Sequence, residues 1–242
     1  MIIKADNKKW WLLGAMGIAL GVFTLDETVV GVALPTMKRD LGLSTIESHW
    51  VVNIYLLVLS CLVAASGKVC DIVGFKRIFI GGFLLFGATS IACGLAHNDV
   101  SMLAARAAQG VGAAMIFPAS MAMLSIIFPE EERGQAFGIY GAVGCIFLAS
   151  GPFVGGLLTE FASWRWIFWI NPPIVLAAAG VVWLFWEDPP RPPERAPFDG
   201  GGLFNLVGGL TLTIFGIMQG PDLGWGSPTV WGTLLAGLAA LA

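Results

Sequence analysis

The sequence predicts an all-α polytopic membrane protein, and three observations lead to that prediction. Of its 242 residues, 57% are hydrophobic and only 12% are charged, whereas soluble domains carry about 25% charged residues. Apolar runs long enough to cross a hydrocarbon core of about 30 Å recur along the whole chain. Most tryptophans lie at or near the predicted ends of these runs, as in an aromatic belt at the membrane interface. The lipid bilayer is therefore the expected solvent of this chain.

The apolar runs predict seven complete spans and the beginning of an eighth. The eighth begins near Val230 and ends at Ala242, and a helix of about 12 residues is too short to cross the bilayer. We therefore expect the sequence to be truncated inside this helix. The complete spans are expected at about residues 11–34, 48–67, 78–97, 100–128, 136–158, 165–186 and 202–220.

A segment rich in prolines and charges separates the first six spans from the rest. Residues 187–202 read EDPPRPPERAPFDGGG, a composition typical of a solvated linker. We expect three regions. They are a six-helix bundle over residues 1–186, a cytoplasmic linker over residues 187–201, and extra transmembrane helices over residues 202–242.

Lysine and arginine are distributed unevenly between the segments on the two sides of the membrane. With the N-terminus inside, nine of these residues lie in inner segments and three in outer segments. Because inner loops of membrane proteins are enriched in positive charge, the N-terminus is expected in the cytoplasm and the protein in the cell membrane. The inner residues are Lys4, Lys8, Lys9, Lys68, Lys76, Arg77, Arg133, Arg191 and Arg195, and the outer residues are Lys38, Arg39 and Arg165.

Two loops that lie three spans apart resemble each other. Residues 67–77 read GKVCDIVGFKR, and residues 156–166 read GLLTEFASWRW. Each loop begins with glycine and has an acid four residues on and a base nine residues on. Since the two loops lie on opposite faces, the pattern predicts a 3+3 inverted repeat within the six-helix bundle. The paired acids are Asp71 and Glu160, and the paired bases are Lys76 and Arg165.

The first of these loops resembles the signature G-x-L-A-D-x-x-G-R-K between spans two and three of the major facilitator superfamily. Its two glycines permit a tight reversal of the chain, and its acid is able to cap a helix or pair with a base. The resemblance implies a gating loop that latches the two halves of a transporter, and the alternative is an ordinary positive inner loop. The matching residues are Gly67, Asp71, Gly74, Lys76 and Arg77, while Val69, Cys70 and Phe75 depart from the signature.

Charged side chains occur inside the first and fourth spans. The run LDETVVGVALP, which begins at residue 25, resembles the L-D-x-T-V-V-N-V-A-L-P signature of drug:proton antiporters. Ionisable residues inside a membrane are costly and mark functional sites by default. We therefore predict that Asp26, Glu27, Arg106 and Gln109 serve proton coupling and line the substrate cavity. The alternatives are acids that snorkel to the outer interface and an arginine with a purely structural role.

Asp26 and Arg106 are expected at the same depth in the membrane. Asp26 lies eight residues before Leu34, and Arg106 lies six residues after Val100. At about 1.5 Å per residue, both lie roughly 9–12 Å below the outer boundary. The run RAAQGVGAA from Arg106 resembles the facilitator signature R-x-x-Q-G-x-G-A-A, with its polar and small residues on one helix face. We expect Asp26 to carry the coupling proton and Arg106 to tune it.

Glycines recur along the fifth span in a pattern that resembles the antiporter signature G-x8-G-x3-G-P-x2-G-G. The signature implies close helix contacts and a proline kink, and Phe147 replaces its second glycine. The start of the sixth span, WRWIFWINPP from residue 164, resembles the same region of 14-span exporters. The matching residues of the fifth span are Gly138, Gly151, Pro152, Gly155 and Gly156.

Together these motifs identify the chain as the N-terminal half of a major facilitator superfamily transporter, most similar to the 14-span drug:proton antiporter branch. The resemblance implies proton-coupled export of small hydrophobic, amphipathic or cationic compounds by alternating access. Its implied partners are protons, the bilayer and the missing C-terminal half of the same transporter. One alternative is a symporter for a nutrient or an organic acid, and another is a half-length membrane subunit that does not transport.

Several other function classes are not expected. The chain has no nucleotide-binding loop, no H-E-x-x-H and no G-x-S-x-G pattern, so neither an enzyme nor a cofactor is predicted. The four cysteines form no C-x-x-C pair, and His49 and His97 lie far apart, so no metal site is predicted. A net charge of −3 without a basic tail argues against a nucleic-acid partner.

Overall fold

The structure is a computed structural model, and it describes residues 7–189 and 199–241. Within those ranges, seven helical segments are long and apolar enough to cross a membrane, which confirms the predicted all-α polytopic fold. Trp166–Phe185 counts as one span that contains two consecutive helices, α6 and α7. The helices are α1 (Lys8–Leu41), α2 (Thr45–Val73), α3 (Phe75–Gly94), α4 (Asp99–Ile127), α5 (Glu130–Phe161), α6 (Trp166–Trp169), α7 (Asn171–Phe185), α8 (Gly200–Leu223) and α9 (Pro228–Leu241).

Several helices extend beyond the apolar runs that predict them. Helix α1 has 34 residues, which corresponds to about 51 Å at about 1.5 Å per residue. It ends at Leu41, and the cap residue Gly42 has a left-handed φ of 67° and donates its N–H to the Lys38 carbonyl. Helix α2 begins directly afterwards, where Ser44 and Glu47 form a capping box. Hydropathy marks the limits of the hydrocarbon core, whereas these caps determine the helix ends.

The helix pairing supports the predicted inverted repeat. Helix α1 packs extensively against α5, and α2 packs extensively against α4. Each of these pairs converts into the other when the first three spans are exchanged with the second three. The same exchange relates the contact between α3 and α4 to the contact between α1 and the sixth span. The six spans therefore pack as two inverted sets of three.

The interior of the bundle consists of two apolar clusters with a polar layer between them. Along α1, Val22 belongs to one cluster and Val30 to the other, with Asp26 between them. Along α3, Phe86 and Cys93 lie on either side of Ser90 in the same way. Each helix thus contributes its polar residue at the same level, and the apolar layers keep that level away from both membrane faces.

Helices α8 and α9 pack against each other, and α8 also contacts α2. The rings of Trp50 and Phe215 lie 5.7 Å apart at that contact. Most of the predicted linker, residues 190–198, lies outside the described residues. The division into residues 1–186, 187–201 and 202–242 therefore stays a prediction.

Candidate functional site

Five polar side chains meet in the layer between the two apolar clusters. We call them the buried polar cluster. Asp26 is 1% exposed, and the other four have no exposed surface. The cluster consists of Asp26 from α1, Ser90 from α3, Arg106 and Gln109 from α4, and Asn171 from the start of α7.

The centre of the buried polar cluster is an ion pair. Arg106 Nη1 lies 2.5 Å from Asp26 Oδ2, and it also donates to Gln109 Oε1 at 2.8 Å. The Nε atom of Arg106 donates to the Val51 carbonyl at 3.0 Å, and its guanidinium carbon lies 4.3 Å from the centre of the Tyr55 ring. A buried charge is tolerated only when it is paired and hydrogen-bonded, and both charges of this pair meet that condition.

The second oxygen of the Asp26 carboxylate accepts from two amides. Gln109 Nε2 donates to Asp26 Oδ1 at 3.1 Å, and Asn171 Nδ2 donates to the same oxygen at 3.2 Å. The carboxylate is therefore surrounded by donors from α4 and α7. The close approach of Asp26 and Arg106 that their equal depths predict is present in the structure.

A break in the sixth span explains the positions of Ser90 and Asn171. Pro172 has no N–H, so the Phe168 carbonyl four residues earlier lacks its helical donor. The Ser90 hydroxyl donates to that carbonyl at 2.8 Å and accepts from Asn171 Nδ2 at 3.0 Å. Asn171 follows the break as the first residue of α7, and its side chain is thereby held against Asp26.

Sequence reasoning missed Ser90 and did not assign Asn171 to the site. A serine within an apolar run has no pattern that distinguishes it from a surface serine. Asn171 did carry a signal, because it is a polar residue next to two prolines in the motif at the start of the sixth span.

Glu27 does not belong to the buried polar cluster. It is half-buried, and its side chain makes no hydrogen bond or ion pair within residues 7–189 and 199–241. The structure thus brings together Asp26, Arg106 and Gln109 of the predicted residues and leaves Glu27 apart.

The predicted gating loop is almost entirely helical. Helix α2 continues to Val73 and α3 begins at Phe75, so that only Gly74 lies between them. Gly74 has a φ of 107°, which is accessible to glycine and strained for other residues. Cys70, expected in a loop, is buried in the last turn of α2. We refer to residues 67–77 as the α2–α3 turn.

Among the described residues, Asp71 neither caps a helix N-terminus nor pairs with Arg77. Asp71 lies in the C-terminal turn of α2, and Gly74 occupies the N-cap position of α3. Asp71 and Arg77 are both exposed, and they form no ion pair with each other in the described part of the chain. Gly67 contributes differently, since a Cβ there would lie 3.8 Å from Pro118 on α4.

Lys76 is hydrogen-bonded to the segment that directly follows α7. Its Nζ donates to the Trp186 carbonyl at 2.9 Å, and its backbone N–H donates to Asp188 Oδ1 at 3.0 Å. The repeat-related base Arg165 donates to the Ala96 carbonyl at 3.1 Å. Trp186 directly follows α7, and Ala96 lies two residues after α3. Each base therefore holds the end of the third span of the other repeat.

The glycine motif of α5 is only partly a contact surface. A Cβ at Gly151 would lie 2.7 Å from the Thr28 Cβ, and one at Gly155 would lie 3.2 Å from the Val29 carbonyl oxygen. Gly138 and Gly156 have open space at their Cβ positions among the described residues, and Pro152 is exposed. Two glycines of the motif therefore permit the close approach of α1.

Phe147, which replaces the second glycine of the motif, fits because α1 supplies a glycine opposite it. A Cβ at Gly21 would lie 2.7 Å from the Phe147 ring. The small residue at this contact is therefore on α1, opposite the large one on α5, and the two helices approach closely.

Comparisons with known proteins agree with this architecture. The sequence profile described as Major Facilitator Superfamily matches residues 16–242. The chain belongs to this superfamily. Members of the superfamily are transporters and not enzymes. No group of His, Cys, Asp and Glu side chains suited to a metal ion is present among the residues that the structure describes.

The similar facilitators include antibiotic resistance proteins. The puromycin resistance protein pur8 of Streptomyces alboniger is 38% identical over 98% of this chain and 47% of its own length. The cephamycin export protein CmcT of Amycolatopsis lactamdurans is 40% identical over 89% of this chain and 45% of its own length. The chain thus spans about half the length of the curated relatives it matches.

A solved facilitator structure has the same fold. It is a bacterial homologue of the human lysosomal transporter Spinster in an inward-facing, unoccupied conformation. It has a TM-score of 0.66 and 17% identity, and the alignment covers 98% of this chain and 60% of that chain. At this identity the likeness concerns the fold alone.

Proposed function

We propose that this facilitator exports hydrophobic, amphipathic or cationic compounds in exchange for protons by alternating access. The single observation that carries the proposal is the ion pair between Asp26 and Arg106, 2.5 Å long and buried within membrane-spanning helices. Ionisable residues at such depth mark proton or ion pathways by default. The names of the relatives, which refer to resistance to or export of antibiotics, support small-molecule export.

In this proposal, Asp26 carries the coupling proton and Arg106 responds to it. A carboxylate balances the guanidinium charge, and a protonated carboxyl does not. Loss of the proton to one side of the membrane therefore restores the ion pair, and gain of a proton from the other side releases it. Gln109 holds both partners, because it accepts from Arg106 and donates to Asp26.

The substrate and the rest of the transport pathway complete the proposal. Facilitators place the substrate site between two six-helix halves, so we propose that a C-terminal half of the same transporter contributes the other wall. The half-buried Glu27 then faces the shared cavity and favours cationic substrates. The protein lies in the cell membrane with its N-terminus in the cytoplasm, and the α2–α3 turn serves as a gate at the inner face.

The test is transport by the full-length product of the reading frame that encodes this chain, in inverted membrane vesicles. We expect an imposed proton gradient to drive accumulation of puromycin or the lipophilic cation tetraphenylphosphonium, and a protonophore to abolish it. Inverted vesicles that lack the protein are the control. Movement of both compounds with the protons, and not against them, would indicate a symporter and would contradict the proposal.

A further inference from the structure

The two amides that donate to Asp26 Oδ1 differ in how firmly they are held. The Oε1 atom of Gln109 accepts from Arg106 Nη1 at 2.8 Å. Because a guanidinium only donates, the Gln109 amide cannot turn over without placing an N–H against an N–H. The Oδ1 atom of Asn171 is buried and has no hydrogen-bond partner within the described residues. Asn171 is therefore the amide that is free to turn.

Protonation of Asp26 changes what its carboxyl needs from these amides. The Oδ2 atom faces the Arg106 guanidinium at 2.5 Å, so a proton adds at Oδ1. The new O–H then faces the N–H groups of Gln109 and Asn171, and a donor in a buried site requires an acceptor. The unpartnered oxygen of Asn171 is the acceptor within reach after a half-turn of the amide.

Resting on the proposed role of Asp26, we propose that Asn171 is a positioning residue whose amide turns over when Asp26 takes up its proton. The Asn171 Oδ1 atom then accepts from the Asp26 O–H, so that the new donor has a partner. When the amide turns, the single hydroxyl hydrogen of Ser90 leaves the Phe168 carbonyl and donates to the Asn171 Oδ1 atom instead.

The location of Asn171 gives this turn a consequence for the helix. Asn171 lies directly after the break between α6 and α7, where Pro172 removes the helical donor of the Phe168 carbonyl and the Ser90 hydroxyl donates to it. The turn therefore transmits the protonation state of α1 to the interrupted point of the sixth span. The other titratable groups that interact with this site are Tyr55, Cys93 and Glu27, and none of them donates to or accepts from Asn171 among the described residues.

Infrared difference spectroscopy across a pH change tests the proposal on the full-length protein in lipid nanodiscs. The C=O band of the protonated Asp26 is identified by its loss in Asp26→Asn. We expect Asn171→Leu, which has neither donor nor acceptor, to shift this band to higher wavenumber. Asn171→Ser restores an acceptor and keeps the band near its wild-type position. Asn53→Leu on α2 is the matched control and leaves the band unmoved.

A band at the wild-type position in Asn171→Leu overturns the proposal. If that variant does not fold, wild-type protein with ¹³C-labelled asparagine carbonyls decides instead. A ¹³C-sensitive amide band must then appear in the difference spectrum and disappear in Asn171→Ser, and its absence overturns the proposal. If the carboxyl band persists in Asp26→Asn, the proposed role of Asp26 fails, which is a different result from a failure of Asn171.

Discussion

The buried polar cluster and the α2–α3 turn differ in the solvent exposure and in the pairing of their charged side chains. In the cluster, Asp26 and Arg106 are enclosed, and Arg106 Nη1 donates to Asp26 Oδ2 at 2.5 Å. In the α2–α3 turn, the side chains of Asp71 and Arg77 are exposed and form no ion pair or hydrogen bond in the described part of the chain. Lys76 of the same turn donates to the Trp186 carbonyl and to the Asp188 carboxylate.

This difference indicates which of the two regions has its charges paired within this chain. An enclosed ion pair has one geometry. When one of its partners gains or loses a proton, the neighbouring side chains must change their hydrogen bonds. Exposed charges are screened by water and contribute little on their own, typically about 0–1 kcal/mol. We therefore expect the proton chemistry to be determined within this chain, and any latch at Asp71 or Arg77 to depend on a partner outside the described residues.

The largest effect is expected from breaking the ion pair. Arg106→Leu leaves the Asp26 carboxylate buried without its counter-charge, and the loss of one partner of a buried pair costs about 3–5 kcal/mol. The measurement is the free energy of unfolding of the purified protein in detergent. The double variant Asp26→Asn with Arg106→Leu removes both charges and recovers part of the loss. Wild-type stability in Arg106→Leu alone would show that the pair is solvated, and the contrast between the two regions would disappear.

A smaller effect sharpens the comparison within the α2–α3 turn. Lys76→Met removes the bond to the Trp186 carbonyl, and the expected loss of unfolding free energy is about 1 kcal/mol. Asp71→Asn is expected to change stability by less than about 0.5 kcal/mol, because the side chain is exposed and unpaired. The same unfolding experiment compares the two. An equal loss of unfolding free energy in both variants would mean that Asp71 makes a structural contact within this chain and is not available to a partner.

The sequence predicts the parts of the site that depend on spacing along one helix. Asp26 and Arg106 are found because motifs mark them and because the helical rise places them at one depth. Gln109 follows from its position three residues after Arg106. Ser90 and Asn171 depend on how α3 and the sixth span meet, which no single-helix pattern contains.

The helix ends show the same limit of sequence reasoning. Hydropathy places the predicted spans correctly, but it does not show that α2 continues to Val73 and reduces the expected loop to Gly74. The role of Lys76 was missed for the same reason, since its partners Trp186 and Asp188 lie more than a hundred residues away. Contacts between distant segments decided each of these cases.

The most direct test of the central claim is proton release when substrate is added to the detergent-solubilised full-length protein. Puromycin or tetraphenylphosphonium, whichever the wild-type protein transports, serves as the substrate in a weakly buffered solution. Asp26 is predicted to supply the released proton. Asp26→Asn should therefore abolish the release, while substrate binding persists. Unchanged proton release from Asp26→Asn would contradict the account and would move the proton site to Glu27 or outside this chain.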